Sequence, residues 1–184
     1  MPLAAAIKIP MGTVMPSFQL PDFKGKSYKS DTLFGSLGFL VIFTSHECPY
    51  TLAAWPRLVR IAKHAKCLGI NSVAINSSLP TKDTDRILKK AIKKNKELKS
   101  DFPYLIDETQ KVAKSFQAQC TPEVFLYDQN KKLAFLGRID DNWKDEAKAT
   151  SLNLKFAIDA LASGQPVERR QIALVGSSIR WRTP

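Results

Sequence analysis

The sequence predicts an α/β domain in which a mixed central sheet is flanked by helices and preceded by an N-terminal β-hairpin extension. Two kinds of observation predict it. First, Gly38 to Thr44, apolar on both faces and rich in β-branched and aromatic residues, and Ile70 to Asn76 read as buried strands. Each precedes a stretch of helical periodicity, and strand–helix–strand crossovers set such strands parallel. Second, the alternating stretches Glu123 to Tyr127 and Lys132 to Gly137 are separated by Asp128-Gln129-Asn130-Lys131, which is turn chemistry, so they add an antiparallel hairpin.

The elements follow in order. Residues 14 to 29, with Pro16, Pro21, Asp22 and Gly25, read as a strand, a turn over Asp22 to Lys26 and a second extended piece. After the strand ending at Thr44, a helix is expected from Pro49 to Lys66. Its inner face would carry Leu52, Trp55, Leu58 or Val59, and Ala62, and Pro56 would kink it. A second helix is expected from Thr81 to Leu98, with Ile87 or Leu88, Ala91, Ile92, Asn95 and Leu98 on one face and lysines on the rest. Asp83 and Asp85 near its start and lysines toward its end suit the helix dipole. A short strand at Phe102 to Ile106, a helix from Thr109 to Phe116 and the hairpin come next. A final helix from Ser151 to Ala162 is closed by Gly164 and Pro166. No repeat or linker divides the chain, so residues 1–184 form one domain with 167–184 as a C-terminal tail.

Composition narrows the function classes. The net charge is +11, but the lysines cluster on the solvent face of the second helix without interleaved aromatic residues, so no nucleic-acid partner is expected. The longest strongly apolar run, Leu37 to Phe43, is far shorter than the ~20 residues a membrane span needs. No basic-then-apolar leader opens the sequence, and a cytoplasmic location is the default expectation. Cys48, Cys67 and Cys120 are too few and too scattered for a disulfide scaffold. With His46 and His64 the only histidines and no zinc-type spacing, neither a metal nor another cofactor is expected.

The chemistry concentrates at Cys48, which lies where a strand ends and a helix begins. Pro49 suits the first helical position, because its missing N–H is one the helix cannot use. The sulfur thereby meets free backbone N–H groups and the positive end of the helix dipole, which lower a thiol's pKa and favour the thiolate. Thr51, three residues on, can turn its hydroxyl toward the same sulfur. Cys120 precedes Thr121-Pro122, a possible cis peptide at a strand entrance, and could attack an oxidised Cys48; a packed thiol is the alternative. Cys67 lies at the far end of the same helix, 19 residues from Cys48. That is ~28 Å along the axis, against the ~7 Å a disulfide tolerates, so Cys67 reads as structural. His46 and Glu47 read as exposed loop residues, with roles as acid, base or selector at the rim as the alternative. His64 reads as structural or solvated.

Five segments in order, Cys48-Pro49-Tyr50, Phe102 to Gln110, Cys120-Thr121-Pro122-Glu123, Gly137 to Asn142 and Gly176 to Trp181, resemble the peroxiredoxin-like "redoxin" proteins of the alkyl hydroperoxide reductase/thiol-specific antioxidant superfamily. The resemblance implies a thioredoxin-like fold, with Pro122 as a cis-proline beside Cys48. Cys48-Pro49-Tyr50-Thr51 then resembles a CxxC whose second cysteine has become Thr51. Pro49, Tyr50, Thr121 and Pro122 would border the substrate. Ser45-His46-Glu47-Cys48 has the spacing of the end of a peroxiredoxin P-x-x-x-T/S-x-x-C pattern, but Val41 holds the proline position. Similar proteins often carry a cysteine before the Ile-Lys/Arg-Trp ending, where this chain has Ser177.

The resemblance implies thiol redox chemistry, with Cys48, Thr51 and Cys120 as the catalytic set. The expected partner is a protein or small-molecule thiol, disulfide or peroxide, with an external thiol as reductant. The expected activity is that of a thiol–disulfide oxidoreductase with Cys48 as nucleophile and Cys120 or an external thiol resolving; peroxide reduction through a Cys48 sulfenic acid and a non-catalytic binding module are the alternatives.

Overall fold

The computed structural model describes residues 9–78, 84–167 and 175–182. Its central sheet has five strands: β3 (Gly38–Thr44), β4 (Ile70–Asn76), β5 (Tyr104–Ile106), β7 (Glu123–Asp128) and β8 (Leu133–Gly137). They lie in the order β5-β4-β3-β7-β8, with β3, β4 and β5 mutually parallel and β7 and β8 antiparallel. The order places β3 at the centre, and every one of its residues is buried. Alternate side chains feed two cores. Phe39, Val41 and Phe43 pack with Phe116, Phe125 and Tyr127 on one face. Leu40 and Ile42 pack with Trp55, Leu58, Val124 and Ile158 on the other.

The N-terminal hairpin forms as expected from β1 (Gln19–Pro21) and β2 (Ser27–Lys29). Its turn is held by the Asp22 carboxylate, which accepts the N–H groups of Lys24 and Lys26. A one-turn helix, α1 (Ser30–Leu33), follows it without a clear periodic signal in the sequence. Helix α2 (Pro49–Cys67) continues through Pro56. Trp55, Leu58, Val59 and Ala62 face inward, but Leu52 is exposed, and Ala54, Arg57 and Ala65 complete the buried face instead.

Helix α3 (Thr84–Glu97) buries Ala91 and presents Asn95, whose side-chain oxygen accepts the Trp55 indole N–H at 2.8 Å. That bond explains an asparagine on the inward face. The expected helix start at Thr81 and Asp83 lies outside the described residues. Helix α4 (Lys111–Phe116) begins later than expected, because Gln110 adopts a left-handed conformation at φ 59°. Helix α5 (Asn153–Ala162) packs beside α2.

The tail departs most from the sequence expectation. A two-residue strand, β6 (Cys120–Thr121), pairs antiparallel with β9 (Ser177–Ser178), Cys120 opposite Ser178 and Thr121 opposite Ser177. Gly176 permits this approach: a Cβ there would meet the Thr121 carbonyl oxygen at 2.6 Å. Residues 168–174 of the expected tail lie outside the described residues. No helix among the described residues is long and apolar enough to cross a membrane.

Candidate active site

Cys48 is the N-cap of α2, extended at φ −79° and ψ 117°, with Pro49 at the first helical position. Its sulfur accepts the backbone N–H of Thr51 at 3.5 Å. The Thr51 hydroxyl plays no such part; it is buried and has no hydrogen-bond partner. Thr51 therefore acts through its backbone, contrary to the expectation that its hydroxyl would turn to the sulfur.

Two further groups reach the sulfur from the opposite side. The thiol donates to the Thr121 carbonyl at 2.9 Å, and Ser177 Oγ lies 3.1 Å away. A thiol has one hydrogen and a carbonyl can only accept, so the Ser177 hydroxyl donates to the sulfur. The Thr121–Pro122 peptide is cis, as the resemblance implied. Cys48 itself is only 4% exposed.

Burial raises the pKa of Cys48. Hydrogen bonds from the side chains of Ser177 and Thr121 and the backbone N–H groups of Thr51 and Ser177 outweigh it, and the thiol lies below its ordinary value. The α2 dipole acts in the same direction. Among the hydrogen bonds, the one to the Thr121 carbonyl acts with burial, since it holds the proton in the thiol form. Cys120 behaves in the opposite way. It is buried beside Gly176, and desolvation, together with the charges of Glu123 and Cys48, pushes its thiol far up. Both are free thiols, as is Cys67, which lies exposed at the far end of α2.

Glu123 follows Pro122 and is 3% exposed. It accepts the N–H groups of Gln119 at 2.6 Å and Cys120 at 3.3 Å, while burial raises its pKa to about 7. His46 is not the exposed loop residue expected. Its Nδ1 lies 2.9 Å from the Tyr104 hydroxyl, and its ring meets Trp55 and Tyr104 edge to face. Burial lowers its pKa to about 4, which keeps it neutral near neutral pH. Glu47 is exposed and pairs with Arg180 of the tail at 3.6 Å. His64 is half-exposed and bonds Asp159 at 2.5 Å. Among the described residues no group of His, Cys, Asp and Glu is placed to hold a metal.

The structure thus brings Cys48, Thr51, Thr121 and Pro122 together, with Cys120 in the strand that supplies the Thr121 carbonyl. It adds Ser177, which the sequence marked only as the place of an absent cysteine. It also adds Gln110, whose side chain donates to the carbonyls of Ser77 (2.6 Å) and Arg180 (2.8 Å) and accepts the N–H of Arg182 (2.7 Å). Gln110 belongs to one of the segments that carried the resemblance, yet that signal did not reveal its task of fastening the tail. Tyr50 packs on Trp143 at 4.5 Å between ring centroids, beside Pro122.

No protein of curated function matches the sequence. Two solved structures match nearly the whole chain, each with a TM-score of 0.87. A hypothetical protein of Sinorhizobium meliloti is 32% identical, with 96% of this chain and 97% of that one covered. An uncharacterized conserved protein of Geobacillus kaustophilus is 30% identical, with 97% and 95% covered. The thioredoxin domain of a thiol-disulfide oxidoreductase of Bacteroides vulgatus matches in fold: TM-score 0.56, 20% identity, 70% of this chain and 89% of that one. The sequence profile of the AhpC/TSA family matches residues 11–136, which take in β1 to β7 and most of β8 together with Cys48, Cys120 and Pro122. With its thioredoxin-like fold and ordered motifs, the chain belongs to the AhpC/TSA family.

Proposed function

We propose that the protein is a thiol–disulfide oxidoreductase with Cys48 as its nucleophile. One observation carries the reading: a thiol at a helix N-terminus, beside a cis-proline, whose sulfur receives the Ser177 hydroxyl and the Thr51 N–H and whose pKa is lowered. The Cys48 thiolate attacks one sulfur of a disulfide, the mixed disulfide forms, and the other half leaves as a thiolate that takes up a proton. A second thiol then attacks the mixed disulfide and restores Cys48. An external thiol suits this step better than Cys120, whose raised pKa keeps it in the poorly nucleophilic thiol form. A reducing cytoplasm supplies such thiols.

Peptide mass spectrometry after brief exposure to a small disulfide near neutral pH tests the proposal. The adduct is expected on Cys48 ahead of the exposed Cys67, with no Cys48–Cys120 link. Labelling of Cys67 alone overturns the reading, and a Cys48–Cys120 bond makes Cys120 the resolving thiol.

A peroxidase reading has its own support in the mouth above Cys48. Ser45, Ser78, Ser177 and Ser178, with Glu47 and Arg180, make it small and polar, fitting a hydroperoxide better than a protein disulfide. There Cys48 would become a sulfenic acid as the peroxide O–O bond breaks and an alcohol or water leaves. Stopped-flow measurement with hydrogen peroxide decides: consumption no faster than by free cysteine excludes it.

A further inference from the structure

Beside Pro122 a cleft, open to solvent, runs away from Cys48. Tyr50, two residues after Cys48, and Trp143 wall one part of it, and Arg57, Arg138, Asp140 and Asp141 line the rest. A substrate with its sulfur at Cys48 has its neighbouring group within reach of this cleft, because Pro122 borders the cleft while the adjoining Thr121 carbonyl touches the Cys48 sulfur.

The polar groups of the cleft are unequally used. All four carboxylate oxygens already accept hydrogen bonds. Asp140 takes Arg57 Nη1 at 2.6 Å and the Asn142 N–H at 3.0 Å. Asp141 takes the N–H groups of Thr150 and Ser151 and the Thr150 hydroxyl, which hold its carboxyl down at about 2. The cations differ. Arg57 is nine-tenths and more buried, its terminal nitrogens are bonded to Asp140 and to the carbonyls of Asn142 and Trp143, and its Nε–H is closed off from the cleft. Arg138 donates through Nε to Asn153 at 3.0 Å, and among the described residues its two terminal nitrogens make no hydrogen bond or ion pair. What the cleft still offers is the terminal donors of Arg138, next to two aromatic rings.

We propose that this cleft is the specificity subsite, and that it takes an apolar group carrying a carboxylate close to the reacting sulfur. The carboxylate is held by the terminal nitrogens of Arg138, and the apolar part lies against Tyr50 and Trp143. The proposal rests on the thiol–disulfide reading of Cys48 and names the substrate class for it: small disulfides flanked by an apolar carboxylic acid.

The test compares the rates at which Cys48 forms a mixed disulfide with dithiobis(nitrobenzoate), an aromatic disulfide with carboxylates, and with uncharged dithiodipyridine. In R138Q the ratio of the two rates falls about tenfold or more, as loss of a charge-assisted hydrogen bond requires. K89Q, which removes the same charge from the exposed face of α3, leaves the ratio within about twofold. An unchanged ratio in R138Q, or an equal fall in both variants, overturns the subsite.

A second arm is independent of thiol chemistry. Sulfur-free nitrobenzoate is titrated into C48S and followed by the Trp143 indole N–H resonance. A saturable shift that R138Q abolishes supports the subsite even if Cys48 reacts with neither disulfide, in which case the exchange reading alone fails. Absence of a shift overturns the subsite whatever the rates.

Discussion

At the scale of single residues, the balance at Cys48 is between burial, which favours the thiol, and donors, which favour the thiolate. Ser177 is the side chain whose effect on that balance can be isolated with least damage, because S177A keeps β9 and removes only the hydroxyl. Losing one donor to a thiolate costs about 1–2 kcal/mol, or roughly one pKa unit. The sign follows from which form the donor favours: without it the thiolate is less stable and the Cys48 pKa rises. The pH profile for alkylation of Cys48 therefore moves up by about one unit in S177A. The rate near neutral pH falls, while the plateau at high pH keeps its height. Thiolate absorbance during a pH titration checks this, and a profile that does not move removes Ser177 from the stabilisation of the thiolate.

Among the elements, α2 ties the site together. Its N-terminus presents Cys48, and two turns later Arg57 reaches the loop after β8, bonding Asp140 and the carbonyls of Asn142 and Trp143. This buried ion pair holds Trp143 against Tyr50 beside Pro122. Truncation of one partner leaves the other charge buried, so R57M is expected to cost about 3–5 kcal/mol in urea unfolding. R57M combined with D140N recovers part of that, since a neutral amide is easier to bury. Additive losses in the double variant would show that the two side chains are not coupled.

The element scale is also where the sequence was most informative. Strands β3 and β4 were legible because both faces of each are covered, which compels near-continuous apolar runs. The β7–β8 hairpin was legible from its turn. Leu52 misled because helical spacing alone does not say where a helix's buried stripe ends near its N-terminus, where solvent still reaches. Arg57 was invisible for the opposite reason: a charged residue is expected outside unless its partner, here 83 positions away, is known. His46 was misread on similar grounds, since its aromatic surroundings come from α2 and β5. Cys48 was legible because strand end, Pro49 and helix start are contiguous; Ser177 was not, because only β6–β9 pairing brings it near.

For the whole molecule, the tail makes the site what it is. Residues 177–182 return from beyond α5, and four of the fastenings are hydrogen-bonded through the tail backbone. Gln110 bonds the backbone of Arg180 and Arg182, Ser78 Oγ accepts the Arg180 N–H, and the Gln119 carbonyl accepts the Ile179 N–H. The fourth is β6–β9 itself. These contacts cover Cys48 and at the same time deliver the Ser177 hydroxyl to it, so accessibility and thiolate stability are opposed in one segment. Q110A tests the coupling. It removes three hydrogen bonds of a buried side chain, worth about 1 kcal/mol each, and frees the tail more than it unsettles the sheet. Amide exchange is expected to speed up at Arg180 and Arg182 while β3 and β4 keep their protection. A tail that lifts more often exposes Cys48 to bulky alkylating reagents but withdraws Ser177. Reaction of Cys48 with a bulky reagent at high pH, where its thiol is fully ionised in both proteins, is therefore faster than in the parent protein. The pKa of Cys48 rises in the same variant. Faster exchange without a change in the pKa would separate the two roles, and leave the tail as a cover alone.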